Sequence, residues 1–146
     1  MDQFNATFDL VTLDHHQTVT VRKQYHFWPG EDGSDAWDVD RLIELSRDFP
    51  VREVALSSIW EIDEVYWFDL GTDPPTVRRV VDHIRWMREA DMSYPIILGP
   101  DHRVMDGMHR VARALLEGSS RILAVQFDEI PEPDYRNVRP EELPYD

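Results

Sequence analysis

The sequence predicts a single mixed α/β domain with an N-terminal β-hairpin and an extended acidic C-terminal tail. Three observations carry that expectation. Short runs rich in β-branched and apolar residues, such as "YPIIL" and "RILAVQF", have the length and composition of strands. Between them lie longer runs in which apolar residues recur every three or four positions, as on an amphipathic helix. The two kinds alternate along 146 residues that are 42% hydrophobic, enough for one real core and too few for two ordinary domains.

Phe4 to Leu13 and Thr18 to Phe27 flank the polar "DHHQ" and read as two antiparallel strands, a hairpin over 3–27. Asp14-His15-His16 has metal-binding side chains, but no further Asp motif accompanies it, so it reads as the hairpin tip. "WPGEDGSD" reads as a loop. Val39, Leu42, Ile43 and Ser46 then share one face of a short helix capped by Asp38. "VREVALSSI" reads as a strand, and "WEIDEVYWFDL" mixes four acids with bulky aromatics. "GTDPPTVRRVVDHIRWMREAD" starts a longer helix with Asp73 as cap and Val77, Val80, Val81, Ile84 and Met87 toward the core. His83 falls among its arginines and calls for no function. "YPIIL" and "RVM" are strands joined by the turn "GPDH", where His102 reads as a turn residue.

The next helix begins at "DGMHR" and places Met108, Val111, Ala112, Leu115 and Leu116 on its apolar face, with Gly118 as its stop. "RILAVQF" closes the domain at 127. From Asp128 the composition shifts to four prolines and seven acids against two arginines, the mark of a tail extended over the surface or partly mobile.

Composition excludes several classes of function. There is no cysteine, hence no disulfide, thiolate metal site or cysteine nucleophile. No apolar run approaches the length of a membrane span, and the first residues lack the pattern of a signal peptide, so a cytoplasmic protein is expected. A formal net charge of −14 opposes nucleic acids and anionic membranes. Fourteen of the 15 basic residues are Arg, a residue suited to phosphate but also one that a codon bias enriches.

One local feature runs against the bulk charge. From Arg103 to Arg121 there are four Arg and two acids, and His109 and Arg110 occupy the first turn of a helix. Exposed amides and the macrodipole already make that end positive, so an anion is expected in front of it. Gly107 permits close backbone approach, Arg110 can grip a phosphate or carboxylate with two hydrogen bonds, and His109 adds a donor that the anion would keep protonated. The competing reading is plain: Asp106 caps the helix and pairs with Arg110. Residues 76–90 carry the same four Arg and two acids.

The run "YPIILGPDHRVMDGMHRVARALLEGSSRILAVQF" resembles the conserved half of the ParB/sulfiredoxin superfamily. It shares the P-I-x-hydrophobic strand, the short hairpin, the D-G-x-H-R turn, a helix with Ala, a Gly stop and a final strand. The resemblance covers about Pro50 to Phe127. It implies that the turn binds the phosphates of ATP, ADP or CTP through Gly107, the backbone of Met108, His109 and Arg110. Sulfiredoxins need a Cys before the His-Arg pair, where Met108 stands, so their sulfinic-acid chemistry is disfavoured. Chromosome-partition relatives carry a G-E-R-R-type box and a helix-turn-helix domain, neither of which is present. DNA association and nuclease activity are disfavoured with them.

The free serine kinase branch is most similar: it keeps D-G-x-H-R and places a catalytic Glu just after the strand that "EVALSSI" matches. Glu61 falls at that place, with Asp63 and Glu64 as neighbouring registers. The resemblance thus implies Mg²⁺-dependent phosphoryl transfer from a nucleotide to a small hydroxyl-bearing molecule. Asp106 would ligate Mg²⁺ or orient the acceptor, and Glu61 would take its proton. The alternative is a catalytically silent module that binds a protein partner or a second copy of itself. Trp60, Tyr66, Trp67 and Phe68 would then be core or contact surface rather than the wall of a base pocket.

Overall fold

The computed structural model describes residues 23–29 and 33–145, and within them the architecture is mixed α/β. Seven strands form two sheets, accompanied by three helices. The described residues group into two compact units, one comprising those up to Leu42 together with those from Glu132, the other Ile43–Pro131. Most of the expected N-terminal hairpin, including Asp14-His15-His16, lies outside the described residues.

In the first unit, β1 (Tyr25–Pro29) and β2 (Ser34–Asp38) pair antiparallel, Tyr25 opposite Asp38 and Pro29 opposite Ser34. The "WPGEDGSD" segment is therefore not all loop. Its Trp28, Pro29, Ser34 and Asp35 belong to strands, because cross-strand pairing outweighs the turn propensity of these residues. The acidic C-terminal segment contributes β7 (Tyr135–Val138), which pairs with β2. Asp134 accepts from the Asp38 amide at 2.8 Å and faces Arg41 at 3.2 Å. Tyr25, 2% exposed, donates its hydroxyl proton to the Pro144 carbonyl and meets Tyr145 edge-on. β7 lies at the edge of this three-stranded sheet.

Helix α1 (Val39–Ser46) follows β2, and Asp38 accepts from the Asp40 amide at 2.9 Å, as an N-cap does. The second unit is built on a four-stranded sheet. β3 (Arg52–Ala55) is antiparallel to β6 (Arg121–Gln126), which runs parallel to β4 (Ile96–Leu98). β4 is antiparallel to β5 (Val104–Asp106), an edge strand. The expected strand "VREVALSSI" pairs only as far as Ala55. It then tightens into 3₁₀ turns at Leu56–Ser58 and Trp60–Asp63, with the Ser58 hydroxyl on the Ala55 carbonyl.

Helix α3 (Met108–Leu116) packs Met108, Val111 and Ala114 into a core with Ile96, Leu98 and Val104. Leu115 and Leu116, expected inside, are 52% and 67% exposed, so the buried stripe follows Ala114 instead. Gly118 takes the left-handed conformation with φ 76° and ends the helix, its amide and that of Ser119 bonded to Leu115 and Ala114 carbonyls.

Helix α2 (Val77–Glu89) departs further from its pattern. Val77, Val80, Val81 and Ile84 are exposed, and its buried residue is His83. Its cap is Thr76, whose hydroxyl accepts from the Arg79 amide at 3.2 Å. Asp73 grips the Arg79 guanidinium at 2.9 and 3.0 Å instead of capping. On α3, Arg113 donates to the carbonyls of Arg88 and Ala90 at the end of α2, satisfying acceptors that the helix leaves open.

Candidate functional site

The strand-to-helix turn depends on Gly107. Its φ of 105° is left-handed, and a Cβ there would lie 2.7 Å from Ile96 Cγ2 and 2.8 Å from Arg110 Nη2. Both conformation and space therefore demand glycine. α3 starts with no side-chain cap, and the Gly107 carbonyl accepts from the Arg110 and Val111 amides. Asp106, expected to cap this helix in the plain reading, pairs with Arg110 at 2.9 Å, both side chains being largely buried. Arg110 also donates to the Tyr94 carbonyl.

His109 points elsewhere. Its Nε2 lies 2.8 Å from Nδ1 of His83 on α2, so one proton is shared between the two rings. Trp67 stacks on both imidazoles, with centroids 4.5 Å from His109 and 4.6 Å from His83. Trp86 meets both rings edge-on. Burial pushes the pKa of both histidines down, and their mutual proximity and the nearby Arg110 push that of His109 further. The expected cationic donor is thus a neutral ring in an aromatic box. Desolvation, the neighbouring His83 and Arg110 all disfavour the charged imidazole, as does the positive end of the helix. His83, read from the sequence as needing no function, is its partner, and Nε2 of His83 is buried without a hydrogen bond.

Glu61, from the 3₁₀ turn after β3, reaches the strand that enters the Gly107 turn. Its Oε1 accepts the Val104 amide at 2.7 Å, while Tyr66 donates to the Val104 carbonyl at 2.9 Å. Together they satisfy the outer edge of β5. Burial raises the Glu61 pKa above the usual carboxylate range, against the Val104 hydrogen bond and Arg103, which lower it. The buried Tyr66 phenol feels the charges of both Glu61 and Asp106, which push its pKa up along with burial. The structure thus brings Glu61 and Asp106 to one neighbourhood around Tyr66, although they lie 45 positions apart in sequence.

No protein-family model, curated protein or solved structure matches the chain. Any functional reading rests on these residues.

Beside the turn lies a groove of about 800 Å³ between the Glu61–Gly71 segment and α3. Tyr66, Trp67 and Phe68 form one wall and Met108, Val111, Ala112 and Leu115 the other. Trp60 is not part of it: its indole donates to the Asp101 carbonyl in the β4–β5 turn, under the Arg103 guanidinium. His102 sits in that turn with φ 70°. Among the described residues no group of three or more His, Asp or Glu side chains is gathered to hold a metal. Mg²⁺ commonly takes one or two carboxylates and completes its shell with phosphates and water; Asp106, the ligand expected from the sequence, is held here by Arg110. No described helix is long and apolar enough to cross a membrane.

Proposed function

We propose that the protein binds a nucleoside phosphate at the N-terminus of α3 and transfers its terminal phosphoryl group to a small hydroxyl-bearing molecule. The observation that carries this reading is the position of Glu61 against β5, beside the Asp106–Arg110 turn. In sequence, Glu61 stands just after the strand that "EVALSSI" matches, where the resemblance implies a catalytic acid. The backbone at Gly107 and Met108 supplies amides that no side chain caps, and Arg110 supplies the cation. An incoming phosphate competes with Asp106 for Arg110, which frees the carboxylate for Mg²⁺ or the acceptor hydroxyl. Mg²⁺ would neutralise charge on the transferred group. Glu61, already raised in pKa, accepts the hydroxyl proton more readily than an ordinary surface carboxylate. His109 contributes through its backbone, its ring being held by His83 and Trp67.

Calorimetry with Mg²⁺ and ATP, ADP or CTP tests the first step. The expected result is binding of at least one nucleotide, weakened tenfold or more in Arg110→Ala, with Glu61→Gln retaining binding and losing turnover. Absence of binding, or equal binding by Arg110→Ala, removes the proposal. A second reading, a silent binding module, is favoured by the inward, neutral His109 and by the apolar groove. Turnover-free binding of a partner protein is its outcome.

A further inference from the structure

The groove between the Glu61–Gly71 segment and α3 differs in chemistry from the turn beside it. Its walls are aromatic and aliphatic, with Trp67 and Phe68 facing Val111 and Leu115. The charged residues in its lining are Glu61, Glu64 and Asp69, and the lining includes no Lys, Arg or His. Its carboxylates repel an anionic group, unlike the adjoining turn with its helix amides and Arg110. Val65 and Leu70 on the rim are 81% and 86% exposed, apolar surface that an occupant would cover. The volume of about 800 Å³ is that of a small-molecule site rather than of a flat contact patch.

We infer that this groove binds a small molecule with an apolar aliphatic or aromatic body and a protonated amine directed at Glu61, Glu64 and Asp69. The body is held by removal of its apolar surface from water against Trp67, Phe68 and Leu115. The ammonium finds the neighbouring carboxylates Glu61 and Glu64, with Asp69 further along the lining, and the faces of aromatic rings, all of which attract a cation. Glu64 already disfavours the charge on Glu61, and a cation placed between them relieves that repulsion. This inference does not depend on nucleotide binding at Gly107.

The test uses the full chain without nucleotide, titrated with 2-phenylethylamine and with the anion of similar shape, 3-phenylpropionate. Methyl resonances of Val65, Leu70, Val111 and Leu115 report occupancy. The expected result is saturable shifts at these methyls for the amine, at least tenfold weaker for the carboxylate. Weakening by added salt and by Glu64→Gln, whose dispersed spectrum shows that it folds, is also expected. Equal response to the two probes, an unchanged affinity in Glu64→Gln, or shifts confined to other residues overturns it. So does silence toward both probes alongside the same shifts from an apolar Lys-bearing peptide, which would make the groove a protein-docking surface.

Discussion

Helices α2 and α3 carry the same charge around them, four Arg and two acids each, and both present an apolar stripe. They use it in opposite ways. α3 turns Met108, Val111 and Ala114 into the core of the sheet, and its arginines hold local carboxylates and the end of α2. α2 leaves Val77, Val80, Val81 and Ile84 exposed and buries His83 instead, between Trp67 and His109. α2 is thus held by His83 and Trp86 against His109 and by Arg113 at its end, while Val77 and Val81 stay exposed. The burial of His83 is made affordable by the shared proton with His109 and by stacking.

Substitutions should separate the two helices. The largest effect belongs to α3: Met108→Ala is expected to cost about 2–5 kcal/mol in urea unfolding, the range for emptying a core site. A loss under 1 kcal/mol would mean that α3 is not the core helix. Next comes the turn in front of it. Gly107→Ala forces a left-handed alanine against Ile96 and should cost about 1–3 kcal/mol, with α3 frayed at its start in amide exchange.

The pH response is of intermediate size and belongs to the pair that ties the helices. His83 is held down to about 4 and His109 to about 3, against an ordinary value of 6.5. Between roughly pH 6.5 and 4 the unfolded chain therefore binds more protons than the folded one, and stability is lost as the pH falls through that window. His83→Asn should flatten this part of the urea-midpoint profile. An unchanged slope would show that this pair does not set the pH response of the window.

Smaller still are the effects on α2. Thr76→Ala removes its cap and should cost about 1 kcal/mol. Val80→Ala should stay within about 0.5 kcal/mol, as for an exposed side chain. A large loss at Val80 would show that the α2 face is covered in solution.

What the sequence made legible follows the same division. Strands β4 and β5, the Gly107 turn and helix α3 are readable because β-branched runs, a Gly before an apolar period and a Gly stop act locally. The mixed α/β class follows from them. Glu61 is legible only through the resemblance, since a carboxylate in an acid-rich chain carries no local signal until it meets the Val104 amide. The α2 core face is misread because periodicity marks an apolar stripe but not what lies opposite. Thr76 and Asp73 are both sound caps by residue type, and only the partner of Arg79 decides between them. The role of His83 is the largest omission: its partners lie at Trp67 and His109, and no spacing rule links the three.

The central claim is that the uncapped amides at the start of α3, with Arg110, hold a phosphate. Amide chemical-shift mapping with Mg²⁺ and ATP or CTP tests it most directly. Phosphate binding at this turn gives saturable shifts centred on Gly107, Met108 and Arg110, extending to Glu61 and lost in Arg110→Ala. Shifts absent from this turn at saturating nucleotide, or unchanged in Arg110→Ala, would contradict it.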